Sequence, residues 1–289
     1  MQLRRLFSSA LVGIAECIHP LDDGTWEEMR YVQSDVPLVV FPRLPVRITQ
    51  AGCPAVLAGP NVATLYNPGG AFRREPRDPR GDEYLELRLQ PALCGELEGL
   101  TSRMRGGRMR ATHAPASRAI YLHQYRLAQH LHDGEPDPLF VEESAAWIVA
   151  TVLADAHEQR RHRGTQAAHH ELAEAAKEVI GARLSERLGL EEIARLVCGG
   201  SPTHLARIFR CETGFGLHEY RVQLRLRTAL QRLQDSVGSL TSLAFELGFA
   251  SHSHFTVSFR REFGVPPSLL LDDPDAAWRI IGNARPLAA

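Results

Sequence analysis

Apolar residues in the last third of the chain recur every three to four positions. Leu205, Ile208 and Phe209 stand at i, i+3 and i+4, and Phe255, Phe259 and Phe263 follow at four-residue intervals. Each set predicts an amphipathic helix. A shorter stripe precedes each one: Ile193, Ala194 and Val197 in the first, Leu243, Ala244 and Leu247 in the second. Ser201 followed by Pro202 reads as an N-cap and a first helical position, and Ser251 supplies the second cap. Between the pairs, Leu217–Leu233 reads as one long helix. Val222, Leu226, Ala229, Leu230 and Leu233 form its apolar seam, while Arg221, Arg225 and Arg232 share another face as exposed charges.

The first half has a different texture. Pro37–Phe41 and Val46–Thr49 are short β-rich runs, and Tyr84–Gln90 alternates with Leu85, Leu87 and Leu89 on one face. Turn chemistry at Gly59-Pro60-Asn61 and Asn67-Pro68-Gly69-Gly70 separates them, as does a polar loop over Glu75–Asp82. Close spacing of such runs predicts a small antiparallel sandwich or barrel. The opening MQLRRLFSSALVGIAEC has a brief apolar run broken by Ser8 and Ser9, and Glu16 stands where a cleavable leader carries a small residue. It is expected to be a first strand. From Arg118 the pattern turns helical, with Ile120–Leu131 and Glu142–His157 separated by a breaker over Asp133–Pro138. The fold class expected is α+β. An antiparallel β domain with following helices spans 1–160, a polar linker 161–170, an all-α domain 171–271 and a tail 272–289.

The two helical pairs are copies. Shifting the chain by fifty residues brings Leu190 onto Leu240, Ala194 onto Ala244, Ser201 onto Ser251 and His204 onto His254. Phe209, Arg210, Glu212 and Gly214 then fall on Phe259, Arg260, Glu262 and Gly264. A fixed-period match marks a duplicated structural unit. Each copy reads as helix, turn, second helix with arginine on its polar face, which is a helix-turn-helix.

Charge and composition narrow the chemistry. The net charge of −1 hides a local excess. Over 203–271, eight arginines stand against five acids, leaving +3, which suits an anionic partner. Lys177 is the only lysine among 33 basic residues, as codon bias in a GC-rich, bacterial genome would give. The five cysteines are scattered without metal spacing and read as reduced thiols of a cytoplasmic protein; Cys198 and Cys211 are taken as inert. Residues 36–90 hold no histidine, so a metal-dependent enzyme on those strands is not expected. His113, His123, His130 and His132 read as surface histidines outside the strands, and Arg73, Arg74 and Arg77 as a solvated loop. No run approaches the ~20 apolar residues of a membrane span.

The stretches LEEIARLVCGGSPTHLARIFRCETGFGLHEYRVQLRLRTALQRL and SLTSLAFELGFASHSHFTVSFRREFGVPPS resemble the DNA-binding domain of AraC/XylS-type transcription regulators, most specifically in GFASHSHFTVSFRREFGVPPS. More weakly, VPLVVFPRLPVRI and AGPNVATLYNPGGAFRREPRDPRGDEYLELRL resemble the cupin-like sensor domain found in part of that family. The resemblance implies two helix-turn-helix units joined by a long helix, with base contacts from the early outward positions of both second helices. Here the DNA-contact candidates are Thr203, His204, Ala206, Arg207 and Arg210, then His252, Ser253, His254, Thr256, Val257 and Arg260. Arg221 is a phosphate-contact candidate. The family's first turn is usually one residue shorter than its second, whereas Cys198-Gly199-Gly200 makes the two equal here. Implied partners are duplex DNA, RNA polymerase, an unidentified small effector and a second copy of the chain. No catalysis, cofactor, metal or membrane is expected. The rival reading is a cupin-type binding protein or enzyme with a vestigial DNA module.

Overall fold

The computed structural model describes residues 2–21, 34–100, 102–132, 136–161, 167–233 and 239–273. The chain divides into two compact units, Met1–His170 and Glu171–Ala289. Most of the expected tail, the Asp133–Glu135 part of the expected breaker and the centre of the expected linker lie outside the described residues.

In the first unit, β1 (Gln2–Ser8) and β2 (Val12–His19) form a hairpin where the opening strand was expected. They join β3 (Leu38–Pro42), β6 (Val62–Tyr66), β8 (Asp82–Leu89) and β11 (His113–Pro115) in a six-stranded antiparallel sheet of order β1-β2-β8-β3-β6-β11. A second sheet, of order β5-β4-β7, comprises β4 (Val46–Gln50), β5 (Val56–Ala58) and β7 (Phe72–Pro76). Side-chain alternation decides which core each residue enters. Val39, Phe41, Leu85, Leu87 and Leu89 pack towards α2 (Arg118–His132) and α3 (Pro138–Arg161), in a core shared with Ile120, Ile148 and Val152. Leu38, Val40, Val62 and Tyr66, on the other face, meet Val46, Ile48, Val56 and Phe72 of the smaller sheet. The unit is thus layered as helices, large sheet and small sheet, and β3 is buried on both faces. This explains why Leu38–Phe41 is an unbroken apolar run. Along the chain, α1 (Pro91–Leu100) and a two-stranded ribbon of β9 (Met104–Arg105) and β10 (Arg108–Met109) come between β8 and β11.

Several expectations fail in this unit. Of the histidines expected at the surface, His123 is half-buried against the Trp147 ring and His130 against Phe140, and half-buried His132 lies 2.9 Å from Glu16. His113 lies on β11, buried and opposite Thr64, because a three-residue strand leaves no alternation to read. Arg73 and Arg74 belong to β7 rather than to a solvated loop. The Arg74 guanidinium is 6% exposed and donates to both Asp82 oxygens at 2.5 and 2.9 Å and to the Tyr66 hydroxyl at 2.7 Å, with the Tyr84 ring 4.4 Å away. A cation so buried is sustained by its carboxylate and hydrogen bonds. Arg73 and Arg77 share Glu75.

The second unit is helical: α4 (Ala167–Ala182), whose first four residues precede the unit's start, α5 (Leu190–Val197), α6 (Pro202–Thr213), α7 (Leu217–Arg232), α8 (Leu240–Glu246), α9 (His252–Phe263) and α10 (Pro267–Asp272). Residues 167–170, expected in the linker, already lie in α4. Leu205 and Phe209 pack with Ile193, Ala194, Leu217, Tyr220 and Leu224. Farther along α7, Leu226, Ala229 and Leu230 are buried, as are Leu243, Ala244, Phe255, Phe259 and Phe263 of the second copy. The edge-on rings of Phe255, Phe259 and Phe263 are 5.6 and 4.5 Å apart in succession. The lone Lys177 is buried beside Glu174 at 2.6 Å on α4, so its ammonium has a structural use that composition did not show. No helix among the described residues is long and apolar enough to cross a membrane.

Candidate nucleic-acid interface

Helices α6 and α9 each have twelve residues and equivalent ends. The backbone N–H of His204 donates to Ser201 Oγ at 3.4 Å, and that of His254 to Ser251 Oγ at 3.1 Å. At the other end the chain turns through left-handed Gly214 and Gly264, whose N–H groups close on Arg210 and Arg260. Caps, length and apolar stripe together fix which residues face outward, because a helix repeats every 3.6 residues.

On α6, Thr203, His204, Arg207 and Arg210 are exposed, and an Arg207 Nη lies 3.4 Å from His204 Nδ1. On α9, Ser253, His254, Val257 and Arg260 are exposed and His252 is half-buried. Val257 is 67% exposed, the most open large apolar side chain among the described residues. Besides His252, two expected outward positions do not face fully out. Ala206 is half-buried against the core, and its fifty-residue counterpart Thr256 is half-buried with its hydroxyl buried and without a hydrogen-bond partner. Both follow a core residue, Leu205 or Phe255, and sit at the rim of the apolar stripe rather than opposite it.

The arginines of α7 depart further from expectation. Arg225 is no exposed charge: it is 6% exposed and its guanidinium donates to Leu184 O at 2.7 Å, Glu186 O at 2.9 Å and Gly248 O at 2.8 Å. It also lies 5.8 Å from the Phe249 ring. Burial, with Arg221 nearby, lowers its pKa to about 10, so it stays charged at neutral pH. One side chain of the connecting helix therefore ties the segment before α5 to the turn before α9. Arg221 is half-buried, donates to Leu188 O at 2.8 Å, and has its Nε buried without a partner. Arg232 pairs with Glu246 of α8. Sequence reasoning missed Arg225 because its partners are three backbone carbonyls, which carry no side-chain signature.

Near the start of α7, His218 titrates below its ordinary value, first through partial burial and then through Arg221, Arg225, His254 and Arg261. His254 and Arg261 of α9 add to that lowering, as positive charges near an imidazole do.

The turns differ despite equal length. The amides of Gly199 and Phe249, counterparts in the repeat, both close on the equivalent carbonyls of Ala194 and Ala244. The left-handed residue is Gly199 in the first turn but Gly248 in the second, one position earlier in register.

A helix-turn-helix domain model matches residues 197–272. The regulator GlxA of Rhizobium meliloti is 30% identical over 133 residues, which are 45% of this chain and 41% of that protein. The regulatory protein SoxS of Salmonella typhimurium is 32% identical over 100 residues, 35% of this chain and 92% of SoxS. A solved transcriptional regulator of Chromobacterium violaceum, described as AraC-type, is 26% identical over 41% of this chain and 99% of its own, with a TM-score of 0.34. The match covers 41% of the length of GlxA and 30% of the transcriptional regulator ArgR of Pseudomonas aeruginosa. With 92% of SoxS matched at 32% identity, the chain belongs to the AraC family of helix-turn-helix proteins.

Proposed function

We propose that this protein is a one-component, cytoplasmic transcription regulator that binds specific duplex DNA through α6 and α9. The observation that carries the reading is the pair of equally capped twelve-residue helices, each presenting short polar side chains and arginine, held by one connecting helix. Successive major grooves recur every ~34 Å along one face of a duplex, so two such helices can read one side of it. Thr203, His204, Arg207, Arg210, His252, Ser253, His254, Val257 and Arg260 are the proposed contacts, with Ala206 and Thr256 at the rim. Arginine reads guanine edges or phosphates, and Val257 offers an apolar surface to a thymine methyl. Arg221 touches a phosphate only with the donors its bond to Leu188 leaves.

The first unit is proposed to hold a small effector and to pair with a second copy through α2 and α3. One small recess in this unit, among the described residues, is lined in part by Ile48, Gln50, Cys53, Thr64, Thr112 and His113. RNA polymerase is the remaining proposed partner, and no reaction is catalysed. The test is selection of bound duplexes from a random pool, followed by Arg207→Ala and Arg260→Ala. Each variant should weaken binding to the selected duplex by about 1–3 kcal/mol while stability stays within about 0.5 kcal/mol. Absence of any enriched sequence, or both variants binding like the parent, refutes the proposal.

A further inference from the structure

Four arginines in eight residues, Arg103, Arg105, Arg108 and Arg110, surround the β9–β10 turn of the first unit. Arg105 stands directly opposite Arg108, and Met104 opposite Met109. Continuing that register sets Arg103 opposite Arg110. Because successive side chains alternate between faces, the methionines occupy one face and all four arginines the other. Met104 and Met109 are 3% and 4% exposed and anchor the ribbon in the core, while Arg105, Arg108 and Arg110 are exposed and Arg103 is half-buried. Gly106 and Gly107, at φ of 58° and 67°, make the tight two-residue turn that fixes this register.

Like charges directly opposite each other destabilise a strand pair. None of the four arginines is ion-paired to a described residue. The nearby carboxylate, Glu98, accepts from the Gly107 amide, and Arg108 donates to Pro68 O at 2.9 Å, which holds its guanidinium in place. The ribbon is therefore an outward array of arginines in register, with its charge uncompensated by any carboxylate among the described residues. Small-molecule sites are concave, and an exposed ribbon suits an extended polyanion instead. Paired guanidiniums match phosphate oxygens with two-pronged hydrogen bonds.

We infer that this arginine ribbon grips the phosphate backbone of DNA outside the segment read by α6 and α9. The inference rests on the proposed DNA-binding function and adds a second, sequence-independent contact to it. Once α6 and α9 are seated, flanking duplex is present at high effective concentration, so weak phosphate contacts suffice.

The experiment uses the full chain with two duplexes. One is limited to the selected sites; the other is extended by about two helical turns on each side. The parent should bind the extended duplex more tightly and with a steeper salt dependence. Arg105→Gln/Arg108→Gln/Arg110→Gln should bind the short duplex like the parent and lose the gain from extension. Its slope of log K against log salt on the long duplex should be shallower by about 0.9 for each phosphate it no longer neutralises. The matching triple change to lysine should keep most of the gain, since a phosphate is held largely by charge. Short-duplex binding equal to the parent's shows that the glutamine variant is folded. No gain from extension in the parent overturns the inference, as does a gain retained in the glutamine variant. Failure of the parent on the short duplex overturns instead the function on which it rests.

Discussion

Replacing Arg225 by methionine removes the guanidinium and keeps most of the side-chain volume. Three carbonyls, of Leu184, Glu186 and Gly248, then lose a charged donor that now sits 2.7 to 2.9 Å away. A hydrogen bond to a charged group contributes about 1.5–3 kcal/mol, and a buried acceptor left unpaired costs about 1–3 kcal/mol. Relief of the arginine's own desolvation opposes this loss, since burial already drives its titration downwards. Taking each carbonyl near the low end gives a net loss of about 3 kcal/mol, a large part of the ~5–15 kcal/mol that a domain has. Lysine should recover part of it, because an ammonium has three donors but no planar fork to span three fixed carbonyls. The measurement is urea unfolding of the full chain followed by far-ultraviolet circular dichroism, with hydrogen exchange over 184–190 and 240–249 to locate the loss. Exchange should quicken in both segments together, because one side chain serves both. A methionine variant within about 1 kcal/mol of the parent, or faster exchange in only one segment, refutes the idea that Arg225 couples the two helix-turn-helix units.

Two further outcomes follow from the same unit. Gly248 (φ +79°) has no room for a Cβ, which would meet Ser185 O at 2.2 Å, whereas a Cβ on Gly199 (φ +59°) meets nothing within 4 Å. Gly199→Ala should thus cost about 1 kcal/mol from left-handed strain and Gly248→Ala clearly more; equal urea midpoints would contradict this. His218 has a folded-state value below its ordinary 6.5, so above 6.5 the folded chain carries no penalty, and below it the unfolded chain takes up the proton first. Stability of the second unit should therefore fall as pH drops through 6.5 towards the folded value, and His218→Gln should flatten that fall; an identical pH profile for both proteins rules the assignment out.

The helical half was readable because its signals are local. Ser201, Pro202, Leu205 and Phe209 specify a capped amphipathic helix within a dozen residues, and the same signals recur fifty residues on. The β half was readable where alternation was long, as at Leu85, Leu87 and Leu89, and unreadable at the three residues of β11. Charged residues were the systematic failure. Arg225 shares spacing with Arg221 and Arg232, so a helical wheel cannot tell the buried one from the others; remote carbonyls decide it. Arg74 lies within a run that reads as loop, and only the folded sheets bring Tyr66 and Asp82 to it. Lys177 and Glu174 were three residues apart on a predictable helix face, yet nothing local announces that this face is buried.

The repeat predicts two equivalent units, and their second helices bear this out down to the capping hydrogen bonds. What holds the turns in place is not equivalent. The second turn carries Gly248, whose carbonyl accepts from Arg225 and whose α-carbon lies against Ser185 O, so it is locked to the segment before α5. The first turn bends at Gly199, with open space around it, and Arg221 and Arg225 donate to Leu188, Leu184, Glu186 and Gly248 rather than to its carbonyls. Placing the left-handed residue one position later, at Gly199, lets the first turn take the same length without that close approach. The outward faces diverge as well: exposed Arg207, against His204, corresponds to exposed Val257. Duplication therefore supplied a common scaffold, while one buried arginine ties the second turn to the segment before α5, and the close approach at Gly248 has no counterpart at Gly199.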